Sequence, residues 1–112
     1  PANWDCDFIN CVVIGNTDLG LSNLLYSIKH IERSLGRQAG KRWAPREIDI
    51  DILLYGNVQI QNYECNIPHI DMLERDFVLL PLKEVAPDWV YTGEGQYKNI
   101  SIANIVKEKY EL

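Results

Sequence analysis

Two aspartates, Asp49 and Asp51, stand in "REIDIDILLYG", Arg46 to Gly56, directly behind a run of cations. Ile48, Ile50 and Ile52 alternate with them, and a period of two predicts a strand. On a strand, residues i and i+2 share a face about 7 Å apart. Two carboxylates that close repel each other, and burial would raise their pKa values. The isoleucines claim the core face, so the acids lie either on open sheet or in a ligand cleft. On open sheet they are decoration. In a cleft they call for a divalent cation. Mg2+ suits them, because it takes oxygen ligands and binds through one or two carboxylates plus substrate phosphates.

The cations are unevenly spread. The chain has 112 residues and a net charge of −5, yet five of its eleven Lys and Arg fall between Arg33 and Arg46. These are Arg33, Arg37, Lys41, Arg42 and Arg46. Guanidinium forks bind phosphate in pairs, so cations on a loop before a carboxylate pair describe a site that handles a small phosphorylated ligand. The alternative is a solvated loop. The acidic balance argues against nonspecific nucleic-acid binding. His69, in "IPHIDMLERDF", shares its neighbourhood with Arg75, six residues on. Taken singly, it is a capping or packing residue. Trp43, in the loop between Arg42 and Ala44, is either a lid aromatic that stacks on a flat ligand or an anchor for the loop. His30 reads as surface and Trp89 as core.

These residues need elements to position them. "DFINCVVIGNT" reads as a largely buried strand over Phe8 to Gly15. Leu21, Leu24, Leu25, Ile28, Ile31 and Leu35 recur at three and four residues, which predicts a helix ending at Gly36. "GRQAGKRWAP" is loop. The aspartate strand follows, then a turn at Gly56-Asn57 into a second alternating strand, "VQIQN". "IPHIDMLERDFVLLPLKEVAPDW" reads as short helical pieces broken at Pro81 and closed at Pro87. Ser101 can cap a last helix from Ile102 to about Tyr110, with Ile102, Ile105 and Val106 inward.

The order of elements predicts an α+β fold, with a mostly antiparallel sheet and helices on one face. Residues 1–112 read as a single domain with a core, since 46% of them are hydrophobic. No apolar run approaches the roughly 18 residues that span a membrane, and no leader is read at the start. The three cysteines form no C-x-x-C pair, which favours free thiols in a reducing compartment over a zinc site.

"RWAPREIDIDILLYG" followed by "IPHIDMLERDFVLLPLKEVAP" resembles the 6-hydroxymethyl-7,8-dihydropterin pyrophosphokinases of folate biosynthesis. "DFINCVVIGNT" and "IERSLGR" fit the same pattern. The resemblance implies a cytoplasmic enzyme with a ferredoxin-like sandwich, here lacking the first strand, helix and strand. It implies transfer of pyrophosphate from ATP to the pterin hydroxymethyl group, releasing AMP, with two Mg2+ ions on the ATP phosphates. By the same resemblance Asp49 and Asp51 ligate Mg2+, and Arg37 and Arg46 steady the transferred group. Leu25, Glu32, Ile52, His69 and Arg75 hold ATP. Phe8, Asn10, Trp43 and Phe77 surround the pterin. Two positions depart from the family's pattern: Glu64 stands where many members carry arginine, and Ile70 where a tyrosine can help hold phosphate.

Phosphoryl-type transfer is mostly positioning and charge stabilisation, so metals and arginines suffice. No general base is assigned from the sequence, with Asp51 one candidate. An incomplete sheet would leave an edge with unpaired backbone groups, which predicts either association with another chain through that edge or poor stability alone. Two rival readings stay open: a Mg2+-nucleotide-binding fragment without turnover, and a structural α+β domain.

Overall fold

The computed structural model describes residues 9–39 and 48–110, with backbone alone at 36–39. The chain divides into two compact units, one holding Asn16–Asp51 and the other Asn10–Gly15 and Ile52–Leu112. Helices and a small antiparallel sheet make the chain α+β.

The first unit is built on helix α1, Leu21–Ala39. The Thr17 hydroxyl accepts from the Leu19 amide at 3.0 Å and shapes the approach. The Gly20 carbonyl accepts the first helical bond, from the Leu24 amide at 2.9 Å. Glycine is an acceptable residue there because its backbone leaves the helix without steric cost. Leu21, Leu24, Leu25 and Ile28 form a half-buried stripe as the spacing predicts, while Ile31 and Leu35 of the same pattern are exposed. The helix does not stop at Gly36 as predicted but runs on to Ala39. A mid-helix glycine costs only about 1 kcal/mol against alanine, and helical residues follow it on the C-terminal side.

The second unit carries the core. Met72, Leu79, Leu82, Ala86, Tyr91, Ile102, Ile105 and Val106 are buried together, and Trp89 packs against them as expected. A 3-10 turn, Met72–Glu74, leads into α2, Asp76–Val85. Pro81 was expected to break this segment, but it lies inside one continuous helix. Its ring removes only one donor, the amide that would meet the Phe77 carbonyl. Buried Leu79 and Leu82 on either side hold the helix to the core. α2 ends before Pro87, where the Ala86 amide donates to the Leu82 carbonyl at 2.8 Å.

Helix α3, Ile102–Tyr110, matches its expectation. The Ser101 hydroxyl accepts from the Asn104 amide at 3.2 Å, and Ile102, Ile105 and Val106 are fully buried. A short ladder seats the start of α3: the Tyr91 amide donates to Ile100 at 2.9 Å and the Ile102 amide to Trp89 at 2.8 Å.

The strands depart most from expectation. Strand β1 is Ile60–Gln61 and β2 is Asn66–Ile67, paired antiparallel with Ile60 opposite Ile67. The turn at Gly56-Asn57 forms, with Gly56 at φ +55° and Val58 donating to Tyr55 at 3.0 Å. It does not pair "VQIQN" with the aspartate segment. The Asn62 side chain instead accepts from the Glu64 and Cys65 amides, each at 2.9 Å, and that Asx turn directs β1 onto β2.

Residues 9–15 and 48–55 form no strand ladder among the described residues. Ile9, Val13 and Ile14 are exposed rather than buried, while Val12 packs on the core. Ile48 is 46% exposed, and Ile50 is half-buried. An alternating pattern defines two faces, but a ladder also needs a partner strand and burial needs a covering layer.

Candidate functional site

The carboxylate pair keeps the exposure that its spacing predicts. Asp49 and Asp51 are exposed, while Ile50 between them is half-buried. The segment is tied to α1 at that midpoint. The Ile50 amide donates to Oε2 of Glu32 at 2.6 Å. Glu32 is mostly covered, with a side-chain exposure of 16%, and its other oxygen pairs with Lys29 at 3.3 Å. A short bond to a charged acceptor is roughly twice as strong as a neutral one. Glu32 therefore pins the peptide that carries both aspartates. Leu25 lies two helical turns before Glu32 and is half-buried.

No group of three or more His, Cys, Asp or Glu converges as a metal site among the described residues. Two exposed carboxylates with a fixed amide between them are a partial ligand set. They fit Mg2+, which keeps waters and takes phosphate oxygens to complete its shell. They do not fit a closed structural zinc site. Cys11 and Cys65 are free thiols. Burial, and then the charge of Glu64, push the Cys65 thiol above its ordinary range, so it stays protonated at neutral pH.

The second cluster lies in the other unit, at the start of α2. The His69 amide donates to the Leu53 carbonyl at 2.9 Å, and the His69 carbonyl accepts from Met72 at 3.2 Å. Nδ1 of His69 accepts from the Asp71 amide at 3.2 Å. In the neutral ring that leaves the proton on Nε2. Arg75 Nη2 meets Asp71 Oδ2 at 3.0 Å. The guanidinium also lies over the Phe77 ring, 5.7 Å from its centroid. Sequence spacing singles out His69 and Arg75, and the family resemblance Phe77, but neither singles out Asp71. The missed signal is an acid two residues after the histidine and four before the arginine.

Asn10 is exposed and Ile52 half-buried. Phe8, Trp43, Arg46 and the Arg37 side chain lie outside the described residues.

Comparison with known proteins places the chain. Residues 1–87 match the 7,8-dihydro-6-hydroxymethylpterin-pyrophosphokinase family, and the chain belongs to that family. It is 46% identical to a 2-amino-4-hydroxy-6-hydroxymethyldihydropteridine pyrophosphokinase of Haemophilus influenzae, over 75% of this chain and 52% of that protein. A protein of the same name from Methylorubrum extorquens is 45% identical over 78% of the chain and 55% of its own length. A folate synthesis bifunctional protein of Chlamydia muridarum is 43% identical over 78% of the chain and 20% of its own length. The matches thus span about half of the first two relatives and a fifth of the third. Among the described residues, no helix is long and apolar enough to cross a membrane.

Proposed function

We propose that the chain serves the transfer of pyrophosphate from ATP to 6-hydroxymethyl-7,8-dihydropterin in folate biosynthesis, with release of AMP. The observation that carries this reading is the family match over residues 1–87, which includes the carboxylate pair whose central amide Glu32 holds. The hydroxymethyl oxygen attacks the β-phosphorus, the bond from that phosphorus to the α,β-bridging oxygen breaks, and AMP leaves with that oxygen. Mg2+, two ions when loaded, would neutralise the phosphate charge and align the displacement.

The chain's own residues do the rest. Asp49 and Asp51 supply the metal carboxylates. His69 donates from Nε2 to the ATP phosphates and Arg75 from its guanidinium. Arg37 and Arg46 meet the charge that develops on the transferred group. Leu25 and Ile52 flank the adenosine. Glu32 acts there too, through the segment it anchors. Phe8, Trp43 and Phe77 offer faces to the flat pterin, and Asn10 pairs with its edge. Asp51 is the candidate acceptor for the hydroxyl proton. The finer fold we propose is a ferredoxin-like sandwich in a single domain, acting in the cytoplasm on small molecules and self-associating through a sheet edge.

An AMP-release assay with ATP, Mg2+ and the hydroxymethyl pterin tests this. One AMP per pyrophosphorylated pterin supports it. A second reading, nucleotide binding without turnover, rests on the exposed carboxylate pair alone. Affinity for a non-hydrolysable ATP analogue with no AMP release would select the second reading over the first.

A further inference from the structure

We propose that Asp71 is a positioning residue that sets both phosphate donors, His69 and Arg75, in one arrangement. This deepens the proposed function and rests on its assignment of those two residues to the ATP phosphates. The geometry is one short stretch of chain. The Asp71 amide donates to His69 Nδ1 at 3.2 Å, and its carboxylate holds Arg75 Nη2 at 3.0 Å. The first contact selects the tautomer that carries its proton on Nε2, so the uncharged ring keeps an N–H donor there. The second contact, with Phe77 beneath the guanidinium, restricts a long side chain that would otherwise sample many rotamers.

Arg75 occupies the N-cap of α2 in an extended conformation, and no side chain caps the helix there. A cation at the positive end of a helix is unfavourable by itself. An anion bound at that end would be favoured by the guanidinium and the helix dipole together. Asp71 offsets the cost until that anion arrives. The bond engages one guanidinium nitrogen, Nη2, and a guanidinium carries five N–H donors. Donors therefore remain for phosphate while the fork stays fixed.

A plain surface ion pair is the competing account. The pair is half-exposed, at 41% for Arg75 and 49% for Asp71, so its bearing on stability alone is small. The test therefore reads binding, with Asp71→Ala, Asp71→Asn, Arg75→Ala and the double variant Asp71→Ala/Arg75→Ala. Each is titrated with a non-hydrolysable ATP analogue in Mg2+, and its melting temperature is recorded.

We expect Asp71→Ala to weaken nucleotide binding about three- to tenfold, the worth of ordering one long side chain, with melting unchanged. Asp71→Asn, which keeps an acceptor, should recover part of that loss. The double variant should bind no worse than Arg75→Ala. The 15N spectrum of the neutral His69 ring should show the Nε2–H tautomer. Tighter binding by Asp71→Ala would mean that the carboxylate competes with phosphate, and would overturn the proposal. Equal and additive losses in the double variant would also overturn it. Unchanged affinity in both Arg75→Ala and a parallel His69→Ala would instead reject the site assignment beneath it.

Discussion

Replacing Glu32 with alanine should loosen the segment that carries the aspartate pair while leaving the rest of α1 in place. The bond lost runs from the Ile50 amide to a carboxylate at 2.6 Å. Hydrogen bonds to charged groups contribute about 1.5–3 kcal/mol net. Glu32 is mostly shielded from water while Lys29, its partner, is 63% exposed. The Lys29 contact therefore adds less than about 1 kcal/mol, and the Ile50 bond dominates. A local loss of about 2 kcal/mol corresponds to an opening equilibrium raised about thirtyfold. Native-state hydrogen exchange reads that quantity directly, because the Ile50 amide exchanges only when the segment opens. Glu32→Gln keeps an acceptor without the charge and should lose about 1 kcal/mol, or roughly fivefold. Unchanged exchange at Ile50 in Glu32→Ala would refute the anchoring argument. A glutamine variant as loose as the alanine one would refute the role of charge.

Two further outcomes follow from the packing of the second unit. Leu79→Ala, at a fully buried position of α2, should cost about 2–5 kcal/mol in chemical denaturation; a loss below 1 kcal/mol would contradict the core described here. Burial raises the Tyr91 phenol above its ordinary range, so the folded chain holds that proton more tightly than the unfolded chain. The resulting stability is fully present below about pH 10 and is lost as pH rises through the folded value. Tyr97 and Tyr110 act in the same direction, first through burial and then through Glu108 and Glu74, and Asp76 and Glu74, respectively. Urea midpoints should fall on raising the pH above about 10, and Tyr91→Phe should flatten part of that slope; an unchanged slope would contradict the assignment.

What could be read from the residues alone divides along physical lines. Helix α3 was legible because everything that makes it is local: a serine to cap it and apolar residues at helical spacing. The single helix through Pro81 was not, since local chemistry favours a break there and the opposing term is burial of Leu79 and Leu82. Alternation at Ile48–Ile52 marks faces but does not name a ladder partner; the Gly56-Asn57 turn forms, yet the side-chain turn at Asn62 directs β1 onto β2. At the candidate site, type and spacing single out the two acids, and the structure leaves both exposed. Glu32 was read as an adenosine contact, and its bond to Ile50 spans 18 residues, a pairing that no periodicity encodes. Asp71 escaped notice because its amide and its carboxylate serve different partners.

The aspartate pair is proposed to gather metal-bound phosphate. The direct measurement is affinity for a non-hydrolysable ATP analogue, with Mg2+ and with excess chelator, in the unaltered chain and in Asp49→Asn and Asp51→Asn. Binding should require the metal and should weaken by at least about tenfold in either variant. Metal-independent binding, or equal affinity in all three proteins, would contradict the assignment of these residues to the phosphate site.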